Sequence, residues 1–136
     1  MILTDTGPLV ALLDFDDRHH QRCLAAINKL PAVPMLTTWP CFTEAIYLLG
    51  SIGGYRYQSS LWSLYTAGRL HLHAFSSAEV DRMYKLMETY RDTPMDLADA
   101  SLVAVAESLG LHQIFSFDSD FYIYRLLDGQ VLEVIS

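Results

Sequence analysis

Apolar and polar positions along the 136-residue chain change their period several times, and each change marks an expected element. MILTDT reads as a first strand ending at Asp5. From PLVALLD the pattern turns helical, with Pro8 suited to a helix start. Residues 16–30, DDRHHQRCLAAINKL, predict a second helix, which Pro31 and Pro34 close, and PMLTT (34–38) predicts a second strand. A third helix is expected through FTEAIYLLG, ending near Gly50, Gly53 and Gly54. YRYQSSLWSLYTAG supplies a fourth, with Leu61, Trp62, Leu64 and Tyr65 on its apolar face. RLHLHAF alternates as a third strand does. SSAEVDRMYKLMETYRD opens with Ser76 or Ser77 ahead of Glu79, the signature of a capping box. The long helix over about 95–109 stops at Gly110. HQIFSF then makes a fourth strand ending at Asp118, and QVLEVI a fifth.

Strands that alternate with helices predict a parallel sheet covered on both faces, with right-handed crossovers. In such open sheets ligands sit at the carboxyl ends of the strands. Asp5 and Asp118 both fall where a strand is expected to end.

The helix over 95–109 raises the sharper question. Its run LADASLVAVAESLGL is almost wholly apolar, yet Asp96 and Asp99 stand at its start, three residues apart. Asp99 shares a helical face with Val103, Ala106 and Gly110, which ought to be packed. Glu44 in CFTEAIYLL, Asp118 after IFSF and Asp120 beside it repeat the pattern of acids in apolar settings. An isolated buried carboxylate is costly, and several sharing one site repel each other unless a cation joins them. One acidic pocket for a hard divalent cation such as Mg²⁺ or Mn²⁺ accounts for all six acids together. Each also has a plain local reading. Asp96 with Asp99 is the spacing of an N-cap and its N3 acid. Asp5 suits the cap of the following helix, Asp118 and Asp120 suit a turn or short-helix cap, and Glu44 suits a solvent-facing edge.

Composition bounds the rest. Fifty-one per cent apolar and 18% charged residues describe one globular domain over 1–136. No run approaches the roughly 20 apolar residues of a membrane span. MILTDTGPLV lacks a basic leader pattern, so a cytoplasmic protein is expected, with Cys23 and Cys41 as reduced thiols. Sixteen acids against nine bases argue against a broad electropositive nucleic-acid surface. A bound cation would still present positive charge to a phosphate.

Other chemistry is thinner. His19 and Cys23, four apart, would be two zinc ligands with the rest missing, and a surface or half-buried helix is the better reading for the segment that also holds His20. His71 and His73 suit a solvated strand face. SIGGY has neither the spacing nor the Lys of a phosphate loop, and no nucleophile elbow occurs. The aromatics Trp39, Tyr47, Tyr55, Tyr57, Trp62 and Tyr65 suit core or dimer packing better than base stacking.

ILTDTGPLVALL, TTWPCFTEAIYLL, DLADASLVAVAESLG and IFSFDSDF occur in the order and context of PIN domains. The chain most resembles the VapC-like toxins of bacterial type II toxin–antitoxin pairs, over nearly its whole length. That resemblance implies a three-layer α/β/α sandwich around a parallel sheet of about five strands in the order 3-2-1-4-5. It also implies a ribonuclease dependent on Mg²⁺ or Mn²⁺, a small antitoxin partner and a homodimer. Carried over by position, Asp5, Glu44, Asp99 and Asp118 correspond to the core acids, and Asp96 and Asp120 to less constant ones. Thr6 and Ser116 match positions where a hydroxyl supports the first and last acids. The rivals are a phosphotransfer domain, a PIN nuclease that is no toxin, and a non-catalytic binding module. The first lacks an Asp-x-Asp at the first strand and any Lys after Lys85.

Overall fold

The computed structural model describes residues 1–136. In chain order the elements are β1 (Ile2–Leu3), α1 (Thr6–Leu13), α2 (His20–Lys29), β2 (Met35–Thr37), α3 (Trp39–Gly53) and α4 (Tyr55–Thr66). Then follow β3 (Leu70–Leu72), α5 (Ser77–Thr89), α6 (Leu97–Leu109), β4 (Gln113–Phe115), a 3₁₀ turn (Ser119–Tyr122) and β5 (Glu133–Ile135).

The strands pair in parallel, β1 with β2, β2 with β3, and β4 with β5. A parallel bridge between Thr4 and Phe115 joins the two groups, and the Asp5 N–H donates to Phe115 O at 2.9 Å. The combined order is therefore 3-2-1-4-5. Neighbouring residues on a strand point to opposite layers. Leu3, Leu36 and Ile114 join the core beneath α5 and α6, whereas Met35 and Phe115 face the helices α1–α4. The parallel sheet covered on both faces is what the alternation of elements implies, and its strand order is the one the resemblance implies.

Helix α6 is buried at every position from Ala98 to Ala106, which explains its lack of a polar stripe. Its four alanines let neighbouring backbones approach closely, and Gly110, at φ 66°, closes it in a left-handed turn.

Four element boundaries differ from the expectation, each through an Asp or Thr side chain. The Asp5 carboxylate accepts the Thr6 N–H, so α1 begins at Thr6 and Pro8 sits inside its first turn. Asp14 and Asp17 accept the N–H groups of Asp16 and His19, which holds 14–19 as turns and delays α2 to His20. Thr38 caps α3 at Trp39, earlier than the apolar pattern indicates. The fourth strand stops at Phe115, three residues short of Asp118, which instead caps the 3₁₀ turn.

His73 is not a solvated strand residue, because its Nε2 stands 2.8 Å from Glu79 Oε2. Trp39, Phe42, Trp62 and Tyr65 form a chain of edge-to-face contacts, and Tyr57 packs on the same core. Tyr47 and Tyr55 remain exposed on α3 and α4. No helix is long and apolar enough to cross a membrane.

Candidate active site

Five of the six acids singled out in the sequence line one pocket of about 300 Å³ at the carboxyl ends of the strands: Asp5, Glu44, Asp96, Asp99 and Asp118. Asp120 does not line it. The 3₁₀ turn that Asp118 caps carries Asp120 away from the pocket, so the second acid of FDSDF stands apart from the first. Asp17 and His19 complete the polar wall, and no Lys or Arg lines it.

Four of the five acids are held by a hydrogen bond from a nearby backbone N–H. Asp5 follows β1 and caps α1; its Oδ1 accepts the Thr6 N–H at 2.7 Å and its Oδ2 the Ser116 hydroxyl at 2.8 Å. Ser116 also accepts the Asp118 N–H at 2.9 Å, so one hydroxyl ties the acid after β1 to the acid after β4. Asp96 and Asp99 form a full capping box: Asp96 Oδ1 accepts the Asp99 N–H at 2.8 Å, and Asp99 Oδ2 accepts the Asp96 N–H at 3.2 Å. The cap reading and the pocket reading of these two acids therefore both hold. A capping acid spends one oxygen on the backbone and keeps the other for the pocket, as at Asp96, Asp99 and Asp118. Glu44 stands within the second turn of α3 and has no protein donor among the hydrogen bonds at the pocket.

Thr6 supports Asp5 through its backbone N–H, while its hydroxyl donates to Cys41 O at 3.3 Å. Two further contacts were not legible in the sequence. The Tyr124 hydroxyl lies 3.4 Å from Asp99 Oδ2, and burial followed by the charge of Asp99 pushes its pKa up. Buried hydroxyls of Thr38 and Ser101 meet at 2.6 Å, pinning the start of α3 to α6. The only signal for either was a hydroxyl or phenol in an otherwise apolar run.

Crowding of negative charge shows in the titration of the group. Burial raises the pKa of Asp5 and the charges of Asp118 and Asp96 add to it, against the lowering by its bonds from Ser116 and Thr6. Burial and then Asp96 push Asp99 up to about 8. Glu44 is raised too, by its partial burial and by Asp96 and Asp5. No three His, Cys, Asp or Glu side chains stand close enough to form a preassembled metal cluster. With five carboxylates, no paired cation and three pKa values raised, the donor set fits a hard divalent ion.

His19 and Cys23 do not share a site. The ring of His19 stacks on Phe117 at 4.6 Å, whereas the buried Cys23 thiol donates to Pro8 O at 3.4 Å. His20 turns inward, its Nδ1 2.6 Å from Ala11 O.

A PIN domain family model matches residues 2–126. The chain belongs to the PIN domain family. Among solved structures, this PIN domain resembles VapC20 of Mycobacterium tuberculosis, described as a sarcin–ricin-loop-cleaving toxin, with a TM-score of 0.82. Identity is 19%, over 90% of this chain and 94% of that one. A toxin–antitoxin complex from Klebsiella pneumoniae matches at 0.67, with 18% identity over 100% of this chain and 97% of that one. VapBC2 of Rickettsia felis, bound to a DNA fragment from its promoter, matches at 0.68 with 14% identity over the whole of both chains. No curated protein matches the PIN domain by sequence.

Proposed function

We propose that the protein is an endoribonuclease dependent on Mg²⁺ or Mn²⁺, the toxin of a type II toxin–antitoxin pair. The observation that carries the reading is the pocket itself: five acids from four separate places in the chain, free of paired cations, at the end of the sheet where α/β proteins bind ligands. Membership of the PIN family and likeness to three toxin or toxin–antitoxin structures support it.

Asp5, Asp99 and Asp118 would hold the metal, with Glu44 and Asp96 beside it. A divalent ion, when bound, lends positive charge to the scissile phosphate and acidifies water. The remaining work falls to the chain. Ser116 and the Thr6 N–H hold the Asp5 carboxylate in one orientation. Glu44, with both oxygens free of protein donors and its pKa raised, accepts the proton of the attacking water. Water oxygen bonds to phosphorus, the P–O3′ bond breaks and the departing O3′ takes a proton from solvent water, leaving a 5′ phosphate and a 3′ hydroxyl. No side chain serves as a covalent nucleophile.

A small antitoxin is the expected protein partner, covering the acidic pocket. A homodimer belongs to the same reading; α3 and α4 leave Tyr47, Ile52, Tyr55 and Trp62 exposed as apolar surface to bury. Incubation of the protein with RNA in Mn²⁺ or Mg²⁺ and in EDTA, with the 5′ ends of the products analysed, tests the reading. Cleavage in metal only, giving 5′ phosphates, is expected; equal cleavage in EDTA overturns it. A small reading frame immediately beside the gene, whose product binds this chain and blocks cleavage, separates toxin from other PIN nucleases.

A further inference from the structure

An acidic pocket repels the substrate it is proposed to cut. A metal held by the acids would meet one phosphate, but the adjoining phosphates of an RNA strand must find positive charge elsewhere. The chain has nine Lys and Arg residues, and none lines the pocket. Two of them are nevertheless bound to rings that do. The Arg22 guanidinium carbon lies 4.9 Å from the centroid of the Phe117 ring, and Arg18 Nε donates to His19 Nε2 at 3.1 Å. His19 itself stacks on Phe117. Both arginines are exposed, and neither takes part in the ion pairs of the fold, which are His73–Glu79 and Arg82–Glu107.

This cluster is built rather than incidental. Phe117 follows directly on Ser116, the hydroxyl between Asp5 and Asp118, and lies against the first turn of α1, where a Cβ on Gly7 would meet it at 3.5 Å. On the other side, Asp17 accepts the His19 N–H at 2.8 Å and the buried His20 ring fastens to Ala11 O. Arg18 and Arg22 are thus presented at one edge of the pocket by a segment fixed at both ends. A guanidinium that stacks on a ring or donates one N–H keeps its remaining donors for a phosphate oxygen.

We propose that Arg18 and Arg22 form an RNA-backbone subsite at the pocket's rim, with His19 and Phe117 as the platform that positions them. The strand enters over this edge, so that phosphates flanking the scissile one pair with the two guanidinium groups. This inference rests on the nuclease reading and names where its substrate lies.

The test is the double variant R18A/R22A, with R18K/R22K beside it. Binding of a fluorescent single-stranded RNA is measured across a series of KCl concentrations, in an Asp99→Asn background that leaves the RNA intact. Two lost phosphate contacts lower the slope of log affinity against log salt by about 1.4 and weaken binding about tenfold or more near 0.1 M salt. The lysine variant keeps most of the slope. In protein with Asp99 restored, the alanine pair raises KM while kcat stays within about twofold, and the melting temperature is unchanged. Wild-type cleavage together with an unaltered slope and KM in R18A/R22A overturns the subsite and leaves the nuclease standing. A wild-type protein that neither binds nor cuts RNA overturns the nuclease reading and the subsite with it.

Discussion

Ser116 Oγ donates to Asp5 Oδ2 at 2.8 Å across 111 residues of sequence and accepts the Asp118 N–H at 2.9 Å. One fully buried hydroxyl therefore sets the distance between the acids that follow β1 and β4. Replacing Ser116 by Ala removes the donor from a buried carboxylate and the acceptor from a backbone N–H. A loss of about 1–3 kcal/mol is expected, read as a lower midpoint in chemical denaturation. Cleavage is expected to fall as well, because Asp5 is no longer held in one orientation.

The pH dependence of stability has a definite sign. Asp99 titrates at about 8 in the folded chain, above its ordinary value near 3.8, through burial first and then the charge of Asp96. A raised folded pKa gives stability that is complete below the unfolded pKa and is lost as pH rises toward 8. The metal-free protein should therefore lose melting temperature between pH 5 and 8. The ceiling for one such group is about 1.4 kcal/mol per pH unit. Asp99→Asn carries no such charge, so its melting temperature should overtake the wild type as pH rises. Parallel curves for the two proteins would contradict the assignment.

A third prediction concerns the joint between α5, α6 and the chain after the 3₁₀ turn. Arg82 Nε and Nη2 donate to the two oxygens of Glu107 at 2.8 and 3.1 Å, and Glu107 Oε2 also accepts the Leu127 N–H at 2.7 Å. Arg82→Ala leaves the Glu107 carboxylate, 7% exposed, with a single donor. Destabilisation of about 1–3 kcal/mol is expected, with faster hydrogen exchange around Leu127 than around Asp5.

The two thiols give a prediction about reactivity. Cys41 lies 3.9 Å from Asp5 Oδ1, and burial with that negative charge pushes its pKa up to about 12; burial, then Asp17, takes Cys23 to about 11. Both are buried and unpaired. A thiol reagent at pH 8 should titrate neither in the folded protein and both in denaturant.

The strands, helices and parallel sheet were legible because apolar runs change period at a Pro, a Gly or an Asp, whereas the strand order came only from the resemblance to PIN domains. What composition and period could not show is that one side chain performs two tasks. Asp96 reads in sequence as either a cap or a pocket acid, yet a carboxylate has two oxygens, and the structure gives one to the Asp99 N–H. Asp17 was missed because its neighbours Asp16, Arg18 and His19 read as a helix face, whereas its carboxylate accepts the His19 N–H in a local turn and both residues line the pocket. Asp120 was included because it sits two residues from Asp118, but a 3₁₀ turn separates adjacent acids that a strand would have kept together. Tyr124 reaches Asp99 only because the chain folds back after that turn. No local pattern carries such a contact.

The shared acidic pocket is the central claim, and the Asn variants of Asp5 and Asp99 test it most directly. RNA cleavage and thermal melting are followed together as Mn²⁺ is added to the wild type, Asp5→Asn and Asp99→Asn. The wild type should cleave and gain melting temperature with Mn²⁺. Both variants should stay folded, lose the Mn²⁺ response and cleave at least about hundredfold more slowly, the worth of several kcal/mol of metal-borne charge stabilisation. Wild-type cleavage rates and an unchanged Mn²⁺ shift in both variants would contradict it.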